Sequence, residues 1–405
     1  MTSAVPREGS KPSLAVSLLP MASVVFILFF VIGMAMPVLP LHVDGRLGLP
    51  AFVVGLVAGS QFIASLASRL WAGRFADARG GKPAIVIGCI VAAAAGLLYL
   101  SSLLFVSVPA LSAAILILGR GVLGAAESLV ITGALAWGLA LGGPANAGKV
   151  IAWMGMPMFA AFALGAPFGS LLYDRSGFAA VALATMIAPL AAVLCVTPFA
   201  GAAPLPGQRP SMRAVLSFVH VPGLALALGS MGFGSITIFI ALLFTERHWN
   251  AAWAAFTIFS VAFILARVLF GHLPDRVGGA KVALASLVII ASGQVSIWIA
   301  PSPLLAFVGS GLTGFGHSLL YPALGVEAVH RTPPESRAAA MGTYTAFLDL
   351  ALGIAGPALG LIAGCIGIRD VFLVTAIMVM ASAMVTLKLL PNGIADLLRR
   401  LLARS

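Results

Sequence analysis

The sequence predicts an all-α integral membrane protein with twelve transmembrane helices, in two six-helix bundles related by a parallel pseudo-twofold repeat. Three observations lead to this fold class. The 405 residues are 61% hydrophobic and only 9% charged, whereas soluble domains carry about 25% charged residues. The apolar runs are long enough to cross a hydrocarbon core of roughly 30 Å as helices. One charged motif also occurs twice, once in each half of the chain.

The apolar runs are continuous, which excludes a transmembrane β-barrel because its strands would alternate polar and apolar residues. The first run is too long for the apolar region of a signal peptide, so we expect a retained helix. The predicted spans cover residues 14–39, 50–71, 83–105, 110–138, 149–172, 179–199, 215–244, 251–271, 281–300, 303–327, 338–364 and 370–390.

The charge distribution predicts the orientation. With the N-terminus in the cytoplasm, sixteen lysine and arginine residues fall in cytoplasmic segments and four, Arg46, Arg175, Arg247 and Arg369, fall on the other side. The positive-inside rule therefore predicts a multi-pass protein of the cytoplasmic (inner) membrane with both termini in the cytoplasm. The same rule accounts for the net charge of +11 without a nucleic-acid partner.

The chain divides into four predicted parts. Residues 1–200 form the first six-helix bundle, and 214–391 form the second. Between them, 201–213 reads GAAPLPGQRPSMR, whose proline and glycine content is typical of a linker. The basic tail 392–405 has leucines on one helical face, so it is either an amphipathic helix on the inner leaflet or a frayed end.

The internal repeat joins corresponding spans of the two bundles. The first copy of its charged motif is Arg69, Gly73, Asp77, Gly80 and Gly81, and 198 positions later the second copy is Arg267, Gly271, Asp275, Gly278 and Gly279. Span four contains GRGVLGAAESL at 119–129, and span ten contains GSGLTGFGHSL at 309–319. Spans five and eleven share a proline in register, Pro167 in GAPFG and Pro357 in AGPALG.

These motifs resemble the major facilitator superfamily over the whole chain. The stretch 73–82, GRFADARGGK, is similar to the family's loop motif G-x-L-A-D-R-x-G-R-K, although Ala78 and Gly81 replace basic residues. RGVLGAAE, with Arg120, resembles the fourth-helix motif of proton-linked members, and GAPFG is a degenerate form of the fifth-helix motif of efflux antiporters. The region around WGLALGGPANAGKV resembles the YhhS-like branch of efflux permeases.

The resemblance implies roles for the repeated motifs. The gating motifs would comprise Gly73, Asp77, Arg79, Gly80 and Lys82 in the first copy and Gly271, Asp275, Arg276, Gly278 and Lys281 in the second. Asp77 would bind the N-terminus of span eleven while the inner gate is shut, where helix dipoles favour a carboxylate. Asp275 either acts likewise near span five or only anchors the topology. The helix-bend motifs would comprise Gly165, Pro167 and Gly169, with Gly356, Pro357 and Gly360.

Three charged residues, Arg120, Glu127 and Asp349, lie deep within predicted spans. Each costs roughly 2.5–3.5 kcal/mol at a helix centre, so such residues usually face a water-filled cavity. Arg120 and Glu127 are seven positions apart, on one helical face and about 10 Å apart along the axis. The family architecture would place them opposite His317, Ser318 and Tyr321, across a cavity between spans one, four, seven and ten.

We expect Glu127 to be the principal proton carrier, Arg120 its partner and Asp349 a second carrier. Other interpretations remain open. In the alternative interpretation, Arg120 and Glu127 form a static buried pair, and Asp349 forms a hydrogen bond to a neighbouring helix. His317 is a proton relay or a packing residue. Gln61 and Gln294 bind substrate or join helices.

The sequence thus predicts a secondary active transporter that exports a small organic compound in exchange for protons, and the alternative is a proton symporter for a sugar or organic anion. The expected partners are the substrate, protons and the bilayer, with a monomer as the functional unit. The sequence has no HExxH, GxSxG or Walker motif, so an enzyme is not expected. The three cysteines lie in apolar runs, so neither a disulfide nor a cysteine metal site is expected. No cofactor is expected either.

Overall fold

The computed structural model describes residues 14–143, 146–202, 212–333 and 337–390, except for the side chains of 147–149, 151–152, 212–214 and 338–339. The described residues form helices joined by short turns, and no strand occurs among them. The predicted all-α class is confirmed. The linker 201–213, apart from its ends, and the tail 392–405 lie outside the described residues.

The first half contains six spans. Span one is Leu14–Leu41, followed by a π-helical turn at His42–Arg46. Spans two, three and four are Ala51–Arg79, Gly81–Ser102 and Pro109–Gly142. Spans five and six share the helix Ala147–Val196, which Gly177 interrupts with φ 70 and ψ −174.

The second half begins with span seven, which consists of Met212–Gly229 and Met231–Glu246. Span eight is Ala252–Phe270, and a short helix, Leu273–Val277, follows it. Spans nine to twelve are Gly279–Trp298, Pro303–His330, Arg337–Ile366 and Ile368–Leu387. Among the described residues, eleven helices are long and apolar enough to cross a membrane. One of them has 44 residues and holds spans five and six, so the count agrees with twelve.

Span two is longer than the sequence predicted. It was expected to end at residue 71, but it continues through the charged motif to Arg79. No proline interrupts GRFADAR, and a Cβ on Gly73 would meet nothing within 4 Å. The turn is made by Gly80 alone, with φ +89. The second copy does break earlier, at Gly271, because Pro274 lacks the N–H needed to continue the helix.

The glycines show that the repeat is structural. A Cβ on Gly81 would lie 2.3 Å from the carbonyl oxygen of Gly133, and the equivalent Cβ on Gly279 would lie 2.3 Å from that of Ala323. Each glycine therefore lets span three or nine approach span four or ten. The turn residue Gly278 has φ +103, like Gly80 in the first copy.

The two halves meet where glycines allow close backbone contact, as small residues do in membrane helices. On one side, spans two and eleven cross so closely that a Cβ on Gly55 would lie 2.0 Å from the carbonyl oxygen of Gly356. On the other, Phe159 of span five stacks on Phe263 of span eight with ring centroids 3.4 Å apart. The first contact lies toward the face of the protein where span one ends.

The two proline motifs have different neighbours. The helices continue through Pro167 and Pro357. A Cβ on Gly169 would lie 2.3 Å from the carbonyl oxygen of Met34 in span one, whereas one on Gly360 would lie 2.5 Å from that of Ala51 in span two. The same motif therefore packs within the first half in one case and between the halves in the other.

Candidate functional site

A cavity lies between the two halves. It is lined by spans one, four, seven and ten, as expected, and also by two, five and eleven. Its walls are mostly aromatic and aliphatic. The lining residues are Phe29, Ile32, Ala35, Met36, Leu39, Pro40, Ala58, Gln61, Phe62, Arg120, Glu127, Met158, Phe159, Phe162, Phe233, Thr237, Ile238, His317, Leu348, Asp349 and Leu352.

Arg120 and Glu127 both line this cavity from span four, because seven residues are nearly two helical turns. They do not form the pair considered from the sequence. Gln61 of span two instead donates a hydrogen bond from Nε2 to Glu127 Oε2 at 2.7 Å. The Arg120 side chain is 5% exposed, and its Nε and Nη1 have no hydrogen-bond partner among the described residues.

Asp349 lines the cavity from span eleven and forms an ion pair with Arg69 of span two. Arg69 Nη2 donates to Asp349 Oδ2. Because span two belongs to the first half and span eleven to the second, this ion pair joins the halves. Asp349 therefore faces the cavity and also bonds to a neighbouring helix, while its role as a proton carrier stays a prediction.

His317 is the one member of the expected trio on span ten that lines the cavity. It is 6% exposed, and its ring stacks on Phe233 with centroids 5.3 Å apart and an interplanar angle of 4°. Ser318 is fully buried outside the cavity lining, because the next residue points about 100° around the helix. Tyr321 is also outside the lining, and its hydroxyl bonds to Thr345 Oγ1 of span eleven at 2.6 Å.

The two glutamines have different environments. Gln61 lines the cavity, and its hydrogen bond to Glu127 joins two helices. Gln294 is fully buried. It accepts a hydrogen bond from Ser235 Oγ at 2.8 Å and donates to Thr313 Oγ1 at 3.1 Å. It therefore joins helices within the second half.

The gating motifs lie at the ends of spans two and eight. Asp77, Arg79, Asp275, Arg276 and Lys281 are exposed. The predicted contacts of the two aspartates are with the first turns of spans eleven and five, where the side chains of 338–339 and 147–149 are not described, so these contacts stay predictions. The side chain of Lys82 donates to the carbonyl oxygens of Thr197 at 2.9 Å and Phe199 at 2.5 Å, so it binds the end of span six in its own half.

Sequence reasoning missed the importance of Arg69 and of the phenylalanines that line the cavity. Arg69 was noticed only as the first residue of the repeat. Its equivalent, Arg267, lies over the ring of Phe263 at 5.6 Å. A shift of 190 relates spans five and eleven, so Phe159 occupies the position equivalent to Asp349. This difference between the two copies of the repeat is visible in the sequence, and it could have indicated that Asp349 has a particular role.

Comparisons with known proteins agree with this architecture. A family model described as Major Facilitator Superfamily matches residues 21–256 and 223–397. The MFS-type transporter STM4428 of Salmonella typhimurium is 43% identical over 364 residues, which cover 90% of this chain and 94% of that protein.

Solved structures agree as well. A bacterial homologue of the human lysosomal transporter Spinster superposes with a TM-score of 0.74 at 14% identity, over 93% of this chain and 97% of that one. The nucleoside transporter NupG gives a TM-score of 0.75 at 15% identity, over 92% and 99%. The chain is a multi-pass membrane protein that belongs to the major facilitator superfamily.

Proposed function

We propose that this protein is a secondary active transporter that couples movement of a small organic compound to movement of protons through the central cavity. The environment of Glu127 is the observation that carries the proposal. This glutamate faces the cavity, and the partner that holds it is the neutral amide of Gln61, 2.7 Å away. An ionised carboxylate without a cationic partner is costly in an apolar site. Uptake of a proton removes that cost, so Glu127 can load and release a proton as access alternates.

Alternating access needs the halves to rock against each other. The crossing of spans two and eleven and the Arg69–Asp349 ion pair both lie between the halves. Movement of one half changes both contacts. Asp349 is the second proton carrier in this scheme, because a proton on its carboxylate would weaken the ion pair.

Export in exchange for protons is the first candidate. It is supported by the likeness of GAPFG at 165–169 to the efflux motif and by the resemblance to the YhhS-like branch. Symport of a proton with a sugar or organic anion is the second candidate, and Arg120 favours it. That buried guanidinium has no carboxylate partner among the described residues, so it is available to a substrate.

The proposal also includes the setting of the transporter. The positive-inside count of sixteen against four supports the cytoplasmic (inner) membrane with both termini in the cytoplasm. The repeat supports the domain boundaries 1–200 and 214–391. A single chain holds both walls of the cavity, which supports a functional monomer.

Proton flux in proteoliposomes tests the proposal. A pH-sensitive dye is trapped inside, a proton gradient is imposed, and drugs, sugars and organic acids are added one at a time. We expect one class of compound to evoke proton movement in the wild type and none in Glu127→Gln. Glu246→Gln makes the same chemical change at an exposed helix end and should behave as the wild type. Proton movement that persists in Glu127→Gln would refute the assignment, and its direction relative to the compound separates exchange from symport.

A further inference from the structure

Arg120 is a buried cation, and two of its three guanidinium nitrogens have no hydrogen-bond partner among the described residues. Its side chain lines the central cavity and is 5% exposed. Neither Nε nor Nη1 has a hydrogen-bond partner among the described residues. The hydroxyl of Tyr99 lies close enough to interact with the guanidinium, although the two groups do not form a hydrogen bond of regular geometry. A neutral phenol does not balance the charge of a guanidinium.

The carboxylates of the cavity are engaged elsewhere. Glu127 accepts its hydrogen bond from Gln61, and Asp349 is paired with Arg69. A guanidinium stays charged and offers five N–H donors in a planar fork. Leaving such donors unpaired in an apolar site is costly, so the geometry indicates that a bound ligand supplies the missing acceptor.

The opposite wall of the cavity adds a second buried polar group. His317, from the second half, is 6% exposed, and its Nδ1 has no hydrogen-bond partner among the described residues. Around the two polar groups the wall is aromatic, with Phe29, Phe159, Phe162 and Phe233 among the lining residues. The site therefore combines an apolar surface with one positive charge that has no ion-pair partner among the described residues.

We infer that the substrate is an amphipathic organic anion, whose carboxylate or sulfonate binds Arg120 and whose apolar body packs against the phenylalanines. Two oxygens of such a group match the fork of the guanidinium, which makes the contact bidentate. This inference rests on the proposed transport function in one respect, because it takes the cavity as the substrate site. It concerns the charge of the ligand and holds for either direction of transport.

Binding of three matched probes tests the inference without any transport step. The probes are 4-phenylbutyrate, 4-phenylbutan-1-ol and 4-phenylbutan-1-amine, which share one apolar body and differ in charge. Each is titrated into the purified full-length protein in nanodiscs, and binding is measured by calorimetry up to about 10 mM, beyond the millimolar range of weak ligands. We expect the carboxylate to bind at least about tenfold more tightly than the alcohol, as a hydrogen bond to a charged group provides, and the amine to bind most weakly.

Variants assign the preference to Arg120. In Arg120→Gln the carboxylate and the alcohol should bind equally. Arg120→Lys keeps the charge but loses the fork, so it should retain part of the preference. Arg247→Gln removes an exposed arginine at a helix end and should bind as the wild type. Melting temperatures and gel filtration of all four proteins verify that each variant is folded.

The outcomes are separable from those of the flux experiment. Equal responses of the wild type to the three probes, including three null responses, would overturn the inference, as would a full carboxylate preference in Arg120→Gln. A carboxylate preference that depends on Arg120, in a protein that moves no protons, would support the anion site while refuting the coupling assigned to Glu127. Proton-coupled flux of neutral or cationic compounds would support the coupling assigned to Glu127 while refuting the anion site.

Discussion

The Arg69–Asp349 ion pair is expected to set the balance between two conformations. It joins span two of one half to span eleven of the other. Its energy therefore belongs to the contact between the halves and not to the folding of either half. Replacing Asp349 by Asn keeps the shape of the side chain, removes its charge and leaves Arg69 without a counter-ion. We expect the conformation described above to become less populated.

The burial of the ion pair gives the magnitude. The side chains of Arg69 and Asp349 are 30% and 10% exposed, so the ion pair lies between two measured regimes. Exposed ion pairs contribute about 0.2–1 kcal/mol, and loss of one partner from a buried ion pair costs about 3–5 kcal/mol. An intermediate value of about 2 kcal/mol corresponds to roughly a thirtyfold change in the ratio of the conformations.

Pulsed electron paramagnetic resonance measures that ratio directly. Spin labels are placed at Leu104 and Leu304, which are 79% and 71% exposed and lie between spans three and four and at the start of span ten. The exposed Cys195 and Cys365 are first replaced by serine. In Asp349→Asn a second distance should gain population. Exchanging the charges, with aspartate at 69 and arginine at 349, should restore much of the original distribution.

Arg267→Gln is the matched control. Arg267 occupies the equivalent position in the second half, but the place of the carboxylate is taken by Phe159. Its replacement should leave the distance distribution nearly unchanged. The reasoning would be refuted if Arg267→Gln and Asp349→Asn gave equal shifts. It would also be refuted if the effects of Arg69→Gln and Asp349→Asn were additive, since residues that interact should show coupling in a double-mutant cycle.

Three further results are expected. Gly55→Ala should destabilise the protein by about 1–3 kcal/mol, because the new Cβ would lie 2.0 Å from the Gly356 carbonyl oxygen. Gly121→Ala is the control, because its Cβ would lie at an ordinary contact distance of 3.7 Å from its nearest neighbour, and it should be neutral or stabilising. Equal thermal unfolding temperatures of Gly55→Ala and Gly121→Ala would contradict the packing described. Lys82→Met should cost about 1 kcal/mol in the same measurement, because two carbonyls at the end of span six lose their donor, and unchanged stability would contradict this role. The pH dependence of 4-phenylbutyrate binding between about pH 8 and pH 6, where the probe stays ionised, separates the two candidate functions. Symport predicts stronger binding at low pH, because a proton on Glu127 removes a negative charge from the cavity, whereas exchange, the first candidate, predicts weaker binding at low pH.

The pH experiment must account for every charged group near Glu127. Arg120, His317 and the Arg69–Asp349 ion pair all belong to or border the same cavity. The variant Glu127→Gln isolates the contribution of Glu127, because any pH dependence of binding that remains in the variant comes from the other groups. A rise in affinity that disappears in the variant would favour symport over exchange and agree with an anionic substrate.

Much of the fold followed from the sequence, because a bilayer imposes strong constraints on chain length and polarity. The spans and the repeat were readable from composition and spacing. The end of span two was not, because a charged motif resembles a loop when hydropathy alone is considered. The helical continuation through Gly73 depends on backbone hydrogen bonds and on open space around the residue, which hydropathy does not report.

The site was only partly predictable. Helical periodicity correctly placed Arg120 and Glu127 on one face of span four, but it does not state which side chain on another span will reach them. Gln61 and Arg69 have long side chains on a neighbouring helix, and their contacts depend on how the two halves pack. The position of Tyr321 depends on the same packing, because its hydroxyl bonds to Thr345 of span eleven.

The most direct test of proton coupling through Glu127 separates transport from its driving force. Once a substrate is known from the flux panel, proteoliposomes containing wild type or Glu127→Gln are loaded with unlabelled substrate, and entry of labelled substrate is measured with and without a proton gradient. We predict that Glu127→Gln still exchanges labelled for unlabelled substrate without a gradient but no longer responds when a gradient is imposed. A variant that responds to the gradient as strongly as the wild type would contradict the account.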